Sequence, residues 1–187
     1  MDNDKERIRQ RMEEATGAGL HPGKIAELLR RQDLYRRSNT LFVGPAPQLS
    51  QIRINALLDG KTLVVPAPAI KKGFYRLKPY ATPFKDLSHA VSLKGLDSFG
   101  RLLAPAELAR LHIDLALTDC LAVSPGGGRL GHGTGFFDLA MALLSEWGAV
   151  DDTTLFGAVG AQEQLLGEDL PQQSWDVRLH FFLSQQG

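Results

Sequence analysis

Six glycines lie within residues 126–135, and this segment carries the strongest chemical signal in the chain. It reads Gly-Gly-Gly-Arg-Leu-Gly-His-Gly-Thr-Gly and is followed by Phe-Phe-Asp. Glycine loses more conformational freedom on folding than any other residue, so such density is expected where a backbone turns with positive φ or approaches a ligand closely. Arg129 adds a fork of donors that matches phosphate oxygens, and Thr134 adds a hydroxyl. We therefore interpret the segment as a phosphate-binding loop.

Two side chains of the segment are open to more than one interpretation. Asp138 can orient Arg129, accept from ligand hydroxyls, or lie beside a metal ion that phosphates hold. An acidic residue at this place is also stabilised by a helix dipole without any ligand. His132, between two glycines, can contact phosphate or remain solvated. A glycine-rich turn that binds nothing is the alternative for the whole segment.

The spacing of the loop excludes the common nucleotide motifs. A Walker loop needs Gly-Lys-Ser/Thr after four spacers, and a dinucleotide loop needs G-x-G-x-x-G, whereas Gly131, Gly133 and Gly135 alternate with other residues. The five histidines show no ligand spacing, and one cysteine, Cys120, cannot supply a structural zinc cluster. The segment at Ser124 lacks the Gly-x-Ser-x-Gly elbow of a hydrolase. Among the kinds of ligand site considered, the sequence still favours a site for an anion or a nucleotide.

The elements that must position this loop predict an α/β fold. Helices are expected over about 3–15, 21–32, 50–58, 105–111 and 137–147. Strands are expected over 40–43, 62–65, 74–77, 113–117, 153–159 and 176–183, with 121–123 extending the strand before it and 176–183 near the sheet edge. This alternation predicts three layers, with a mainly parallel sheet and helices on both faces. Ligands of such sheets lie beyond the carboxyl ends of strands, where helix N-termini favour anions.

Local signals refine these boundaries. Ser50 is expected to cap the helix that it begins, and Gly60 to end that helix. In the first helix, Ile8 and Met12 lie four residues apart and share one face of an otherwise solvated element. Gly17 and Gly19 are expected to interrupt that helix.

Length and composition limit the class of protein. The 187 residues suit a single domain over 1–187. Lys plus Arg equals Asp plus Glu at 21 each, so the basic excess of a nucleic-acid-binding protein is missing. The first twenty residues are polar, and no apolar run reaches the roughly 18 residues of a membrane span. We expect a cytoplasmic protein without a membrane partner, as a monomer or weak homodimer.

The loop resembles the nucleotide loop of 5-formyltetrahydrofolate cyclo-ligases, also called methenyltetrahydrofolate synthetases. Their loop reads Arg-Leu-Gly-x-Gly-x-Gly-Tyr-Tyr-Asp, and residues 129–138 differ from it only in the paired aromatics. Other segments are similar over nearly the full chain: Lys5-x-x-x-Arg9, Gly60 to Pro66, the strand segments over 113–123, and Pro171 with Trp175-Asp176-Val177. The likeness is to a divergent branch, the methenyltetrahydrofolate synthase domain proteins.

This resemblance implies an ATP-dependent ligase of one-carbon metabolism on a cyclo-ligase-like fold of the sugar-phosphate isomerase and CoA-transferase superfamily. Such an enzyme uses Mg-ATP to phosphorylate the formyl oxygen of 5-formyltetrahydrofolate. The N10 nitrogen then attacks, and 5,10-methenyltetrahydrofolate, ADP and phosphate are released. Phosphorylation makes the oxygen a good leaving group, so the protein mainly positions two small-molecule substrates and neutralises phosphate charge.

The resemblance also implies roles for residues. Arg129 and Asp138 are the expected catalytic pair, with Asp138 beside the Mg2+ of Mg-ATP. The expected ATP contacts are Lys5, Arg9, Gly128, Arg129, Leu130, Gly131, His132, Gly133, Thr134, Gly135 and Phe136. Lys5 and Arg9 are four apart and share a helix face, although a solvated charged helix has the same pattern.

A weaker substrate site is expected at Lys71, Phe74 and Tyr75. The lysine would meet an acidic folate tail, and the aromatics would stack on a pterin ring. A solvated loop anchored by buried aromatics is the alternative for the same three residues.

Several positions depart from the family pattern. The usual approach to the loop, Val-Pro-Gly-x-Ala-Phe-Asp, is replaced by Thr118-Asp119-Cys120-Leu121-Ala122-Val123-Ser124. Leu139 stands where Arg is usual, and residues 51–54 hold no match to a substrate-side Glu-x-x-Thr. Two alternatives therefore stay open: a noncatalytic nucleotide- or pterin-binding protein on the same fold, and an RNA-binding accessory protein that uses the cluster Arg30, Arg31, Arg36 and Arg37.

Overall fold

The computed structural model describes residues 2–15 and 20–187, and a β-sheet runs through this part of the chain. Its strands and those of a separate hairpin are β1 (Thr40–Val43), β2 (Thr62–Pro66), β3 (Phe74–Leu77), β4 (Arg101–Leu102), β5 (Leu115–Thr118), β6 (Ala122–Val123), β7 (Arg129–Leu130), β8 (Leu155–Val159) and β9 (Phe181–Leu183). Within the described residues the main sheet has seven strands in the order β4-β3-β2-β1-β5-β8-β9. The five strands from β2 to β9 in this order run parallel, and β3 and β4 are added to them by antiparallel pairing.

Helices cover both faces of the sheet. They are α1 (Asp2–Ala15), α2 (Pro22–Arg31), α3 (Asp33–Arg37), α4 (Ser50–Leu58), α5 (Leu87–Ala90), α6 (Leu96–Phe99), α7 (Pro105–Leu108) and α8 (Phe136–Glu146). Residues of α2, α4 and α5 join the apolar cluster on one face, and residues of α7 and α8 join the cluster on the other. The predicted three-layer α/β fold with a mainly parallel sheet is confirmed. Among the residues described, no helix has the length and apolar character that crossing a membrane requires.

The central strands read as unbroken apolar runs because both of their faces are buried. In β1, Leu41 and Val43 pack with α2 and α4, while Phe42 points to the opposite cluster with α8. In β5, Leu115 and Leu117 lie on the first face and Ala116 on the second. The period of two places successive side chains on opposite faces, so each short strand anchors both helical layers.

The order of the strands creates a crevice between β1 and β5. From β1 the chain continues to β2 on one side, and from β5 it continues to β8 on the other side. The connections that follow β1 and β5 therefore run to opposite sides of the sheet, which leaves a crevice between the carboxyl ends of these two strands. A topological switch point of this kind is where open α/β sheets bind ligands.

Two of the predicted strands differ in the structure. Residues 121–123 do not extend β5, because β6 leaves the sheet and pairs antiparallel with β7, Ala122 opposite Leu130. Of the strand expected over 176–183, only β9 forms, at the edge of the sheet as predicted. Leu179, two residues before β9, instead donates its backbone N–H to the carbonyl of Gly127 in the turn of the β6–β7 hairpin.

Helix boundaries show a further correction. Ser50 is the first residue of α4 and makes no capping bond, because a 3-10 turn over Pro47–Leu49 brings the chain into helical conformation before it. Gly60 follows the end of α4 with φ +79°, as a helix-ending glycine should. The predicted break at Gly17 and Gly19 lies outside the described residues.

We predict that Phe42→Ala lowers the free energy of unfolding by about 3–5 kcal/mol. Phe42 is fully buried and its ring contacts Phe74 and Phe137, so truncation leaves a cavity at the centre of the sheet. Urea unfolding measures the change. The matched control is Phe84→Ala, at a ring that is 78% exposed, which should change stability by less than about 0.5 kcal/mol. Equal effects would contradict the assignment of Phe42 to the core.

Candidate functional site

The glycine-rich segment divides into two parts with different surroundings. Residues 125–128 form the turn of the β6–β7 hairpin, while residues 131–135 line a pocket and lead into α8. In the turn, the Gly128 N–H donates to Ser124 Oγ at 3.1 Å, and the Ser124 N–H donates to the Gly128 carbonyl at 2.9 Å. Gly128 was expected among the ATP contacts, but it lies in this turn and does not line the pocket, and its N–H group is already bonded to Ser124.

The pocket has a volume of about 340 Å³ and lies at the switch point of the sheet. Residues 44–46 line it after β1, and Thr118 and Asp119 line it at the end of β5. Opposite them stand the loop 131–135 and the first turn of α8. The first turn of a helix carries N–H groups without intrahelical partners, so this wall of the pocket attracts an anion.

Arg129 is held rigidly at one wall of the pocket. Its Nη2 donates to Asp138 Oδ2 at 2.7 Å, and its guanidinium lies 5.1 Å from the centre of the Phe137 ring. Asp138 is held in turn by the Val177 N–H, which donates to Oδ1 at 2.9 Å. Asp138 therefore orients Arg129, which is one of the roles that its position suggested. The Arg129 Nε is buried without a hydrogen-bond partner, so the guanidinium retains an unused donor.

Glycine is required in the pocket loop for two separate reasons. A Cβ on Gly131 would lie 2.6 Å from Arg129 Nη1, so any side chain there would displace the guanidinium. Gly133 and Gly135 have φ values of +92° and +60°, which L-residues with a Cβ rarely adopt. The spacing Gly-x-Gly-x-Gly thus reflects one close approach and two left-handed turns.

Helix α1 packs on the β6–β7 hairpin and forms one wall of the pocket. Its Ile8 and Met12 pack on the β6–β7 hairpin, against Leu121 and Leu130 among others. This contact fixes the rotation of the helix, and the expected shared face of Ile8 and Met12 is the face that packs on the hairpin.

The rotation of α1 brings two of its cations to the pocket. Lys5 and Arg9 both line it, although more than 120 residues separate them from the glycine loop in sequence. Arg9 Nε donates to the Gly131 carbonyl at 3.2 Å, and Lys5 Nζ donates to Asp176 Oδ2 at 2.7 Å. With Arg129 they form a ring of three positive side chains around one cavity.

Asp176 is a member of the site that carried no role in the sequence interpretation. Burial alone would raise its pKa, but the Lys5 hydrogen bond, the Gln173 N–H and the charges of Lys5 and Arg129 outweigh burial and lower the pKa below its ordinary value. The carboxylate is therefore charged at neutral pH and fastens the closing segment of the chain to α1. Its position in Trp175-Asp176-Val177, a segment singled out by the family resemblance, was the signal available in the sequence.

A second, more apolar cavity of about 330 Å³ adjoins the first. Met12, Leu20, Leu121 and Val159 contribute to its walls, and His132 lines both cavities. Buried Cys120 also lines it, and burial raises the pKa of this thiol to about 12, so the thiol is protonated and unreactive at neutral pH. No pattern in the sequence predicts this cavity, because its walls come from six separate segments of the chain.

The residues expected on the substrate side lie away from both cavities. Phe74 is fully buried against Phe42, and Tyr75 is buried with its hydroxyl bonded to Asp97. Lys71 is exposed on the surface. The structure therefore does not bring these three residues to the pocket of the glycine loop, since β3 lies between β2 and β4 with its aromatics turned into the core.

Two members of the arginine cluster, which lies at the end of α2 and in α3, have structural partners of their own. Arg30 forms hydrogen bonds to both Asp59 oxygens and to Glu27, and Tyr35 donates to the same Asp59. Arg36 lies 4.0 Å from Asp33. Arg30 thus joins α2 to the end of α4 rather than presenting a free cation.

The carboxylates of the pocket suit a magnesium ion that arrives with phosphates. No group of three metal-ligating side chains exists within residues 2–15 and 20–187. Mg2+ in nucleotide sites is commonly held by one or two carboxylates together with phosphate oxygens and water. Asp138 and Asp176 both line the pocket, so the donor set fits Mg2+ bound through a nucleotide.

Residues 2–184 match the sequence profile of the 5-formyltetrahydrofolate cyclo-ligase family. The chain belongs to this family. The resemblance drawn from the loop is thereby confirmed, and it extends over almost the whole length, from α1 to β9.

Similar proteins include methenyltetrahydrofolate synthase domain-containing proteins. The one from Homo sapiens is 32% identical over 158 residues, which cover 81% of this chain and 40% of that protein. The one from Danio rerio is 28% identical over 169 residues, covering 89% of this chain and 42% of that protein. The chain thus spans about two fifths of the length of these relatives.

Solved structures support the fold independently. The 5,10-methenyltetrahydrofolate synthetase of Aquifex aeolicus superimposes with a TM-score of 0.63 at 16% identity, covering 98% of this chain and 90% of that one. A 5,10-methenyltetrahydrofolate synthetase from Mycoplasma pneumoniae gives 0.62 at 13% identity, with 96% and 98% covered. At these identities the match establishes the common architecture.

We predict that Lys5→Met lowers stability at neutral pH by roughly 0.5–1 kcal/mol, the range of a partly exposed ion pair. Because the pKa of Asp176 is lowered in the folded protein, its contribution is present above the unfolded pKa of about 3.9 and is lost as pH falls through the folded pKa. The difference between wild type and variant should therefore be constant from about pH 8 to 6 and shrink as the pH falls below about 4.

Urea unfolding at several pH values tests this expectation. Lys78→Met, at an exposed lysine outside the pocket, is the matched control and should show no such pH-dependent difference. A difference for Lys5→Met that persists unchanged at pH 3 would contradict the role of the Lys5–Asp176 pair.

Proposed function

We propose that this protein is an ATP-dependent cyclo-ligase that converts 5-formyltetrahydrofolate to 5,10-methenyltetrahydrofolate, with release of ADP and phosphate. The observation that carries the proposal is the pocket at the switch point, where Lys5, Arg9 and Arg129 surround the glycine loop and the first turn of α8. Family membership supplies the substrate class, and the pocket supplies the means of holding a polyphosphate.

The two adjoining cavities accommodate the two ends of ATP. The phosphates suit the polar cavity, because three cations and the N-terminus of α8 converge there. The adenine ring suits the apolar cavity, because α1 lines both: Lys5 and Arg9 face the first, and Met12 faces the second.

Asp138 and Asp176 are the side chains that would hold Mg2+ delivered with ATP. When bound, the ion neutralises charge on the phosphates and polarises the oxygens around the transferred group. Asp138 already bonds Arg129 and the Val177 N–H, and Asp176 already bonds Lys5 and the Gln173 N–H. Both carboxylates are thus fixed in place before any ligand arrives.

Catalysis of phosphoryl transfer depends on positioning and on electrostatic stabilisation rather than on a covalent step of the protein. Arg129 suits this task because Asp138 and the Phe137 ring fix its guanidinium, so little reorganisation is needed as charge develops. Transfer of the terminal phosphoryl to the formyl oxygen creates the leaving group. Attack of N10 on the formyl carbon then expels phosphate and closes the ring.

The wall opposite the glycine loop is available to the second substrate. Residues 44–46 form this wall. The buried Arg53 side chain donates to the carbonyls of Gly44 and Ala46 and also to the carbonyl of Val91, so it ties this loop to the residues after α5. Burial lowers the pKa of Arg53 to about 10 against the opposing effect of Asp119, so the guanidinium stays charged at neutral pH. The loop is therefore rigid when a folate approaches it.

A noncatalytic nucleotide-binding protein is the second candidate function. Residues 51–54 occupy the neighbourhood in which the family pattern has a substrate-side Glu-x-x-Thr, and they supply no carboxylate to that wall. The other departures have less weight, because Ser124 lies in the hairpin turn and Leu139 is half-exposed on α8, outside the pocket.

A turnover assay distinguishes these two functions. Purified protein with Mg-ATP and 5-formyltetrahydrofolate should develop the absorbance band of the methenyl product, and omission of either substrate should abolish it. A melting temperature that rises with Mg-ATP in the absence of any turnover would reject the ligase and support the binding protein.

We predict that Arg129→Ala weakens ATP binding by about 10- to 100-fold, as expected for loss of a charged hydrogen-bond donor. The fold should persist, because α8 and the hairpin keep their apolar contacts. Titration calorimetry measures the affinity, and circular dichroism verifies the fold. Arg110→Ala, at an exposed arginine outside the pocket, should bind ATP like wild type. Unchanged affinity in Arg129→Ala would remove Arg129 from the site.

A further inference from the structure

Three polar side chains meet at the boundary between the two cavities. His132 Nε2 lies 3.1 Å from Asp119 Oδ2, and Gln48 Nε2 donates to the same oxygen at 3.2 Å. Asp119 lines the polar cavity, Gln48 lines the apolar cavity, and His132 lines both. The group therefore forms a polar bridge between two spaces whose own walls differ in character.

The bridge keeps unused acceptors. Both donors go to Oδ2 of Asp119, and Oδ1 makes no hydrogen bond to any residue within 2–15 and 20–187. Because a carboxylate only accepts, a neutral His132 must carry its proton on Nε2, which leaves a lone pair on Nδ1. The boundary thus offers one carboxylate oxygen and one imidazole nitrogen to a ligand that donates.

The fold does not need this bridge for its own stability. The His132 side chain is 52% exposed, and a pair of this exposure contributes little to stability. Asp119 stands directly after β5 in a segment that departs from the family pattern, which has proline at this place. A carboxylate at the carboxyl end of a central strand is positioned to meet a ligand.

The chemistry of ATP determines what occupies the boundary. With phosphates in the polar cavity and the base in the apolar one, the ribose lies between them. Ribose presents two adjacent hydroxyl donors, and an acidic residue beside a nucleotide loop commonly accepts from them. Oδ1 of Asp119 and Nδ1 of His132 are two acceptors of matching character.

We propose that Asp119 and His132 bind the 2′- and 3′-hydroxyls of the nucleotide and make the site selective for ribonucleotides over deoxyribonucleotides. This inference rests on the proposed function for the placement of ATP. It concerns binding alone, so it can be tested whether or not the folate reaction proceeds.

Calorimetric titration with Mg-ATP and Mg-2′-deoxy-ATP tests the proposal. Wild type should bind ATP about tenfold more tightly, as expected for loss of one hydrogen bond to a charged acceptor. Asp119→Ala should bind ATP only as well as 2′-deoxy-ATP, with its affinity for the deoxy nucleotide unchanged. His132→Ala should likewise lower the preference for ATP over 2′-deoxy-ATP or over 3′-deoxy-ATP. Asp152→Ala removes an exposed carboxylate outside both cavities and should keep the wild-type preference.

Each result decides the matter. Equal affinity of wild type for ATP and 2′-deoxy-ATP, or an undiminished preference in Asp119→Ala or in His132→Ala, overturns the proposal. If Asp119→Ala does not fold, Asp119→Leu replaces it, because leucine has a similar volume and no hydrogen-bond acceptor, and an undiminished preference in that variant has the same meaning. Absence of ATP binding by wild type overturns this proposal together with the ATP site. A ribose preference without methenyl formation supports the proposal and rejects only the ligase.

Discussion

The parallel pairing of β1 with β5 positions every other part of the site. Phe42 lies opposite Ala116 in this ladder, and the Asp114 carboxylate accepts from the Thr40 N–H at 2.9 Å at its start. Because the chain leaves these two strands in opposite directions, their carboxyl ends stay open and the loops that follow them face one cavity. The glycine loop, α1 and the closing segment all converge on that opening. The order of the strands therefore determines where the site lies, and the side chains determine only what it can bind.

Carboxylates balance the positive charge of the pocket locally. Lys5 has Asp176, Arg9 has Glu6, and Arg129 has Asp138 as a partner. Unpaired cations in a half-buried cavity would repel one another and cost desolvation energy, so these carboxylates let three positive side chains share a small volume. Because these ion pairs already order the charged side chains, binding of an anion at this site would carry only a small further cost of ordering them.

The sequence predicted the elements whose signals are local and failed where tertiary placement decides. The apolar runs of β1, β2 and β8 and the helix after the glycine loop were found because each carries its own pattern. The β6–β7 hairpin was missed because strands of two residues have no period to detect. Phe74 was expected at a ligand because an aromatic ring can stack on a pterin, but only the pairing of β3 with β2 shows that its ring is buried. Asp119 drew no attention because its partners Gln48 and His132 are distant in sequence.

The main sheet ends on short strands at both sides. β4 has two residues and β9 has three, so the unpaired backbone that each side exposes is only a few residues long. Long open edges invite pairing with another chain, and short ones are a common protection against it. Each edge of the sheet therefore offers a second chain too little free backbone for a long intermolecular strand pairing.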